Sequence, residues 1–128
     1  MEYDLAGKII GRAMSVHKTL GPGFLETVYH KALVHEITQS NLKVETEKPI
    51  AIIYEGVCVG DFIADLVVNN ELIVEIKAVQ ALAKAHEAQL VNYLTATGIE
   101  TGLLLNFGSQ SLEFKKKFRT PKPKVAQF

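Results

Sequence analysis

The sequence predicts an α/β (α+β) fold, a mixed central β-sheet flanked by helices in the order α-α-β-β-β-α-β-β. Three observations carry this. Residues up to about 40, and again 81–97, repeat apolar side chains three and four apart, the period of a helix with one buried face. Residues 43–77 switch to Val- and Ile-rich runs broken at Glu55-Gly56 and Asn69-Asn70, which are turn signals between strands. Thr101 to Phe107 is a nearly continuous apolar run, as expected of a strand covered on both faces. With 128 residues, 48% hydrophobic and 22% charged, the chain suits one domain with its own core and is neither disordered nor fibrous.

In order, Leu5, Ile9, Ala13, Val16, His17 and Leu20 place a first helix over 4–19, stopped by Gly21-Pro22-Gly23. A second helix is expected from Leu25 to Gln39, its inner face formed by Leu25, Val28, Tyr29, Ala32, Leu33 and Ile37. Residues 43–54 and 57–68 read as a β-hairpin, 72–77 as a third strand and 81–97 as a third helix. After the Thr101–Phe107 strand, Leu112, Phe114 and Phe118 alternate with polar residues, which suggests a last edge strand. A single domain is expected over 1–120, with 121–128 as a C-terminal tail.

No apolar run approaches the length of a membrane span, and Met1-Glu2-Tyr3-Asp4 lacks the features of a secretory signal, so cytoplasmic residence is expected. Cys58 is the one cysteine, which excludes an intrachain disulfide and a cysteine-based zinc site. It reads as a buried, inert thiol in mid-strand. The net charge is zero but unevenly spread. Lys115, Lys116, Lys117, Arg119, Lys122 and Lys124 fall in the last 14 residues, which leaves the first 114 at a net −6. The basic end reads as a solvated terminal strand before it reads as a phosphate-contacting patch. Gly21-x-Gly23-x-x-Glu26 is no dinucleotide fingerprint, because it follows a helix and has Glu at the third glycine position. There is no P-loop, nucleophile elbow or zinc-protease motif.

The chemistry concentrates in three carboxylates and a lysine. Glu75 and Lys77 flank Ile76, and residues i and i+2 of a strand share a face. If the second and third strands pair around Asn69-Asn70, Asp65 comes close to Glu75. Two carboxylates and the Ile76 carbonyl are hard oxygen donors suited to Mg²⁺ or Mn²⁺, and a lysine beside them can orient water or stabilise developing charge. A surface Glu–Lys pair is the plain alternative. The third helix tips the balance toward a site. His86, Gln89 and Tyr93 sit on its inner stripe with Leu82, Ala85, Leu90, Leu94 and Thr97, and buried polar groups need partners. Glu26 is the third carboxylate, with Tyr29 and His30 one turn on and on the same side.

Gly23-Phe24-Leu25-Glu26-Thr27-Val28-Tyr29 is a G-x-x-E-x-x-Y string preceded by Gly21-Pro22. Together with Gly60-Asp61-Phe62-Ile63-Ala64-Asp65, Ile73-Val74-Glu75-Ile76-Lys77-Ala78 and His86-Glu87-Ala88-Gln89-Leu90-Val91-Asn92-Tyr93-Leu94, it closely resembles the small bacterial GxxExxY protein family of the PD-(D/E)XK nuclease-like superfamily. The resemblance implies a restriction-endonuclease-like core. It also implies that Asp65 is the motif aspartate, Glu75 and Lys77 the E-x-K pair, Glu26 the first-helix acid, and Gln89 and Tyr93 a Q-x-x-x-Y signature. Ala64 stands where the motif has proline.

The function so implied is a Mg²⁺- or Mn²⁺-dependent nuclease, a hydrolase of phosphodiesters in DNA or RNA. Asp65, Glu75, the Ile76 carbonyl and Glu26 would be metal ligands, Lys77 would position the water, and Gln89 and Tyr93 would buttress it or touch phosphate. The alternative is a nuclease-fold binding or scaffolding module without turnover, acting as a homodimer or complex subunit.

Overall fold

A computed structural model describes residues 4–120, so the expected tail 121–128, with Lys122 and Lys124, lies outside the described residues. The elements follow the expected order: α1 (Leu5–Leu20), α2 (Glu26–Thr38), β1 (Val44–Tyr54), β2 (Val57–Val68), β3 (Leu72–Lys77), α3 (Lys84–Thr97), β4 (Thr101–Asn106) and β5 (Glu113–Phe118). Asp4 caps α1, its Oδ1 accepting the Gly7 N–H at 2.9 Å. The helix stops where Gly21 takes φ 68°, a conformation that costs glycine little. The third helix begins at Lys84 rather than Ala81, because Leu82 N–H is drawn off to Glu113 Oε1 at 3.0 Å.

The five strands lie in sequence order, β1-β2-β3-β4-β5. All neighbours are antiparallel except β3 and β4, which run parallel and are joined through α3. Glu55-Gly56 and Asn69-Asn70 have positive φ throughout, the conformation that suits tight hairpin turns. Helices α1 and α2 cover one face, burying Ile9, Tyr29, Leu33 and Ile37 on Leu66, Val74, Ile76 and Leu105. Helix α3 covers the other with Leu90 and Leu94 on Val67, Ile73 and Leu104. The strand β4, sandwiched between these layers, is the apolar run that the sequence shows. No helix among the described residues is long and apolar enough to cross a membrane.

Two features of the sheet position the site. The β2–β3 ladder comprises only Leu66–Val74, Val67–Ile73 and Val68–Leu72, so the strands part at Asp65 and Glu75. Before Asp65, β2 pairs with β1 alone, and the two project as an arm that leaves Ile53, Tyr54, Val57 and Val59 exposed toward its tip and Ile63 exposed nearer its base. Cys58 lies on this arm and is exposed, not buried as the sequence suggested, because no third strand or helix reaches it.

Candidate active site

Strands that part leave main-chain groups without ladder partners, and buried ones must be satisfied another way. Here the two carboxylates do it reciprocally. Glu75 Oε2 accepts the Asp65 N–H at 2.9 Å, and Asp65 Oδ2 accepts the Ile76 N–H at 2.8 Å. The Asp65 carbonyl accepts from His30 Nε2 of α2 at 3.1 Å, which fixes that nitrogen as the protonated one. One oxygen of each carboxylate is thus used to hold the strands apart, and the carboxylates stand together at the opening.

Glu75 is 7% exposed. Burial, and then the neighbouring Asp65, push its pKa from 4.5 up to about 7; the Asp65 N–H and Lys77 oppose the rise. Lys77, two residues on, is half-buried. Glu26 opens α2 on the other wall. Its pKa is also raised, by burial first and by Asp65, with Lys77, His30 and His86 pulling it down, so each of these groups acts on Glu26. A small cavity of about 120 Å³ is lined by Glu26, His30, Glu47, Asp65 and Ile76, together with Thr27 and Lys31. The larger groove, about 770 Å³, runs beneath the arm beside Thr97–Thr101 and the β2–β3 turn, at the opposite end of the sheet.

The third helix forms a wall, but a partly open one. Leu90 and Leu94 are its buried residues, whereas Gln89 and Ala85 are exposed rather than inward. Gln89 hydrogen-bonds the Tyr93 hydroxyl. Tyr93 stacks on Phe62 of the arm, centroids 3.5 Å apart and rings 7° from parallel. Burial, Glu75 and Asp65 all raise the Tyr93 pKa, which puts this ring within electrostatic range of the carboxylates. His86 serves its own helix, Nδ1 accepting the Ala83 N–H at 3.0 Å.

Tyr29 does not share the site with Glu26 and His30. Three residues after Glu26, it turns into the core, stacks on Phe107 at 4.7 Å and 11°, donates to the Gly21 carbonyl at 2.6 Å and accepts the Phe24 N–H at 3.1 Å. The tyrosine of the G-x-x-E-x-x-Y string therefore clamps the loop that delivers Glu26. Leu25, expected inward, is 76% exposed beside it. Of the four described basic residues at this end, Lys117 pairs with Glu87 at 3.0 Å and Arg119 with Glu100, while Lys115 and Lys116 lie exposed on the strand. This agrees with a solvated edge strand.

Sequence reasoning missed four residues. His30 was visible one turn after Glu26, but its bond to Asp65 depends on where α2 lies. Glu47 reaches the cavity from β1, with φ 48°, and drops out of the strand register opposite Asp65; nothing in its sequence context signals this. Asn106 and Glu113 fix the loop after Lys77. A lone Asn ending an apolar run was a readable signal for the first of them.

The donor set is all hard oxygen around a buried Glu75 and a half-buried Asp65, which is compatible with Mg²⁺ or Mn²⁺. Among the described residues, no three His, Cys, Asp or Glu side chains converge as a metal-holding group, so Glu26 and Glu47 stand back from the Asp65–Glu75 pair.

A mixed sheet whose second and third strands part around an Asp and a Glu-x-Lys defines a nuclease-like domain. The model of the PD-(D/E)XK nuclease superfamily matches residues 3–118, and the chain belongs to that superfamily. Among solved structures, the one titled "Crystal structure of SSO0001" is similar over 78% of this chain, with a TM-score of 0.57 and 19% identity, a likeness of fold. The match covers 52% of that chain, so this protein spans about half its length. No curated protein sequence matches.

Proposed function

We propose that this chain is a divalent-metal-dependent nuclease of the GxxExxY type that hydrolyses phosphodiesters in DNA or RNA. The reciprocal Asp65–Glu75 arrangement carries the reading. Two carboxylates held side by side, with one of them pushed up to about 7, form a site where a cation would relieve the crowding. Asp65, Glu75 and the Ile76 carbonyl would hold Mg²⁺ or Mn²⁺, with Glu26 joining as a further ligand or orienting water. The cation would supply positive charge against the phosphoryl oxygen. Lys77 donates a hydrogen bond to the attacking water and holds it in line. Tyr93, supported by Gln89 and Phe62, bounds the site on the α3 side and meets a phosphate or sugar.

Calorimetric titration of Mg²⁺ and Mn²⁺ into wild type and Glu75→Ala, with cleavage assays of labelled single- and double-stranded DNA and RNA, tests this. Binding and cleavage that both vanish in Glu75→Ala support it. Failure of either metal to bind at millimolar concentration overturns it.

One observation favours the second reading, a binding module without turnover. The arm exposes six large apolar side chains along its two strands, Ile52, Ile53, Tyr54, Val57, Val59 and Ile63. Metal binding without cleavage of any substrate would favour it.

A further inference from the structure

We propose that Asn106, held by Glu113, is the positioning residue that sets Lys77 and the Tyr93 wall relative to the carboxylate pair; this rests on the nuclease reading above. The strand β3 loses β2 as a partner just where the site opens, so its end must be fixed from the other side. Phe107 N–H donates to the Lys77 carbonyl at 2.9 Å, continuing the β3–β4 pairing. Immediately beyond, the Asn106 side chain takes over the part of a strand. Its Oδ1 accepts the Val79 N–H at 2.9 Å and its Nδ2 donates to the Val79 carbonyl at 2.9 Å. One amide thus satisfies both main-chain groups of a single loop residue.

Asn106 is itself fully buried and held in place. Its Nδ2 also donates to Glu113 Oε1 at 3.0 Å, and its Oδ1 accepts the Gly108 N–H at 3.0 Å. Glu113 faces Asn106 across the β4–β5 ladder, and the same Oε1 accepts the Leu82 N–H. The loop from Lys77 to the start of α3 is therefore tied at Val79 and Leu82 to one Asn–Glu pair. Gly108 closes the arrangement, because a Cβ there would overlap the Val79 main chain. Both walls of the site hang from this loop: Lys77 at its start, and α3, with Tyr93, at its end. Asp65 and Glu75 are anchored instead on the Ile76 and Asp65 amides, before the loop, so disturbing it should misplace the lysine and the tyrosine and leave the carboxylates where they are.

The test is Asn106→Asp, alone and with Glu113→Gln. The substituted carboxylate keeps the acceptor for Val79 and Gly108, but it loses the donor to the Val79 carbonyl and faces Glu113 with a second negative charge. Glutamine at 113 removes the charge conflict and offers a donor to the new carboxylate. NMR signals of the Lys77 and Tyr93 side chains are recorded on the metal-free protein, with Mn²⁺ titration and cleavage of the same labelled oligonucleotides alongside. The expected result in Asn106→Asp is shifted Lys77 and Tyr93 signals and a fall in kcat of about 10–100-fold. Mn²⁺ affinity stays within about twofold of wild type, as for additive, separate sites, and signals and kcat recover in part in the double variant, which relieves the Glu113 conflict but not the lost bond to the Val79 carbonyl. Wild-type Lys77 and Tyr93 signals in Asn106→Asp, or no recovery in the double variant, would overturn the proposal. Should Asn106→Asp not fold, Glu113→Ala releases Leu82 and the Glu113 bond of Asn106 while leaving both Asn106 bonds to Val79, and unchanged Lys77 and Tyr93 signals there would overturn it equally. Should the wild type bind no Mn²⁺, the nuclease reading fails while the NMR signals still decide this one.

Discussion

Asp65 and Glu75 each hold the other's strand: the carboxylate of one accepts from the amide of the other or of its neighbour, at 2.9 and 2.8 Å. The bond that keeps the strands apart is therefore made by the groups that would do the chemistry, and the two roles can be separated by substitution.

In Asp65→Asn the side-chain oxygen still accepts the Ile76 N–H. Stability should stay within about 1 kcal/mol of wild type, whereas Asp65→Ala leaves that amide unpaired and costs about 1–3 kcal/mol. Both variants should lose metal binding. Denaturant unfolding beside calorimetry checks this, and a stable Asp65→Asn that binds Mn²⁺ normally would remove Asp65 from the ligand set.

Glu75 gives the metal-free protein a pH dependence of unusual sign. Its folded pKa, about 7, lies above its unfolded 4.5, so the folded state binds more protons between those values. Stability is unaffected by Glu75 below about 4.5, falls as pH rises toward 7, and stays lowered above it. Glu75→Gln keeps an acceptor for the Asp65 N–H and cannot ionise. It should therefore be more stable than wild type by about 1–3 kcal/mol at about pH 8, with the difference gone near pH 4. Thermal unfolding of the two proteins across that range reads it directly.

Tyr29→Phe removes both hydroxyl bonds to the Gly21–Phe24 loop and retains the stack on Phe107. A loss of about 1–2 kcal/mol is expected. Because the loop enters α2 at Glu26, any cleavage activity should fall too. Unchanged unfolding would show that the clamp does not hold.

Gly108→Ala should cost about 1–3 kcal/mol, as overpacking against main chain does. Gly11→Ala, where nothing lies within 4 Å, should be neutral or mildly stabilising. Equal melting temperatures for the two variants would contradict the close approach at Val79.

The elements were legible because their periods are clean. Both hairpin strands and β3 fall where the Val/Ile runs and the Glu55-Gly56 and Asn69-Asn70 turns put them. The meeting of Asp65 with Glu75 followed from pairing around that second turn, although the contact is side chain to main chain, which alternation alone does not reveal. The inner stripe of α3 is narrower than its spacing predicts. Helical spacing places Ala85 and Gln89 beside Leu90, but where a helix rests on its sheet is a tertiary matter, and α3 rolls them outward. Spacing likewise put Tyr29 with Glu26; a residue three positions on lies about 60° round the helix, enough here to choose the core over the site. Glu47 and His30 meet Asp65 only through packing between elements.

The parting of β2 and β3 also bears on the order of folding. Asp65 and Glu75 belong to one local hairpin, ten residues apart, whereas Lys77 is fixed only when β4 pairs parallel to β3 across residues 78–100. Early formation of local contacts and late closure of long crossovers is the general rule. The acidic half of the site should thus assemble first. Rate measurements on Val67→Ala and Leu104→Ala would show the former slowing folding and the latter mainly hastening unfolding. A nascent chain would then carry paired carboxylates before it owns the lysine, able to capture a cation while still without the group that would use it.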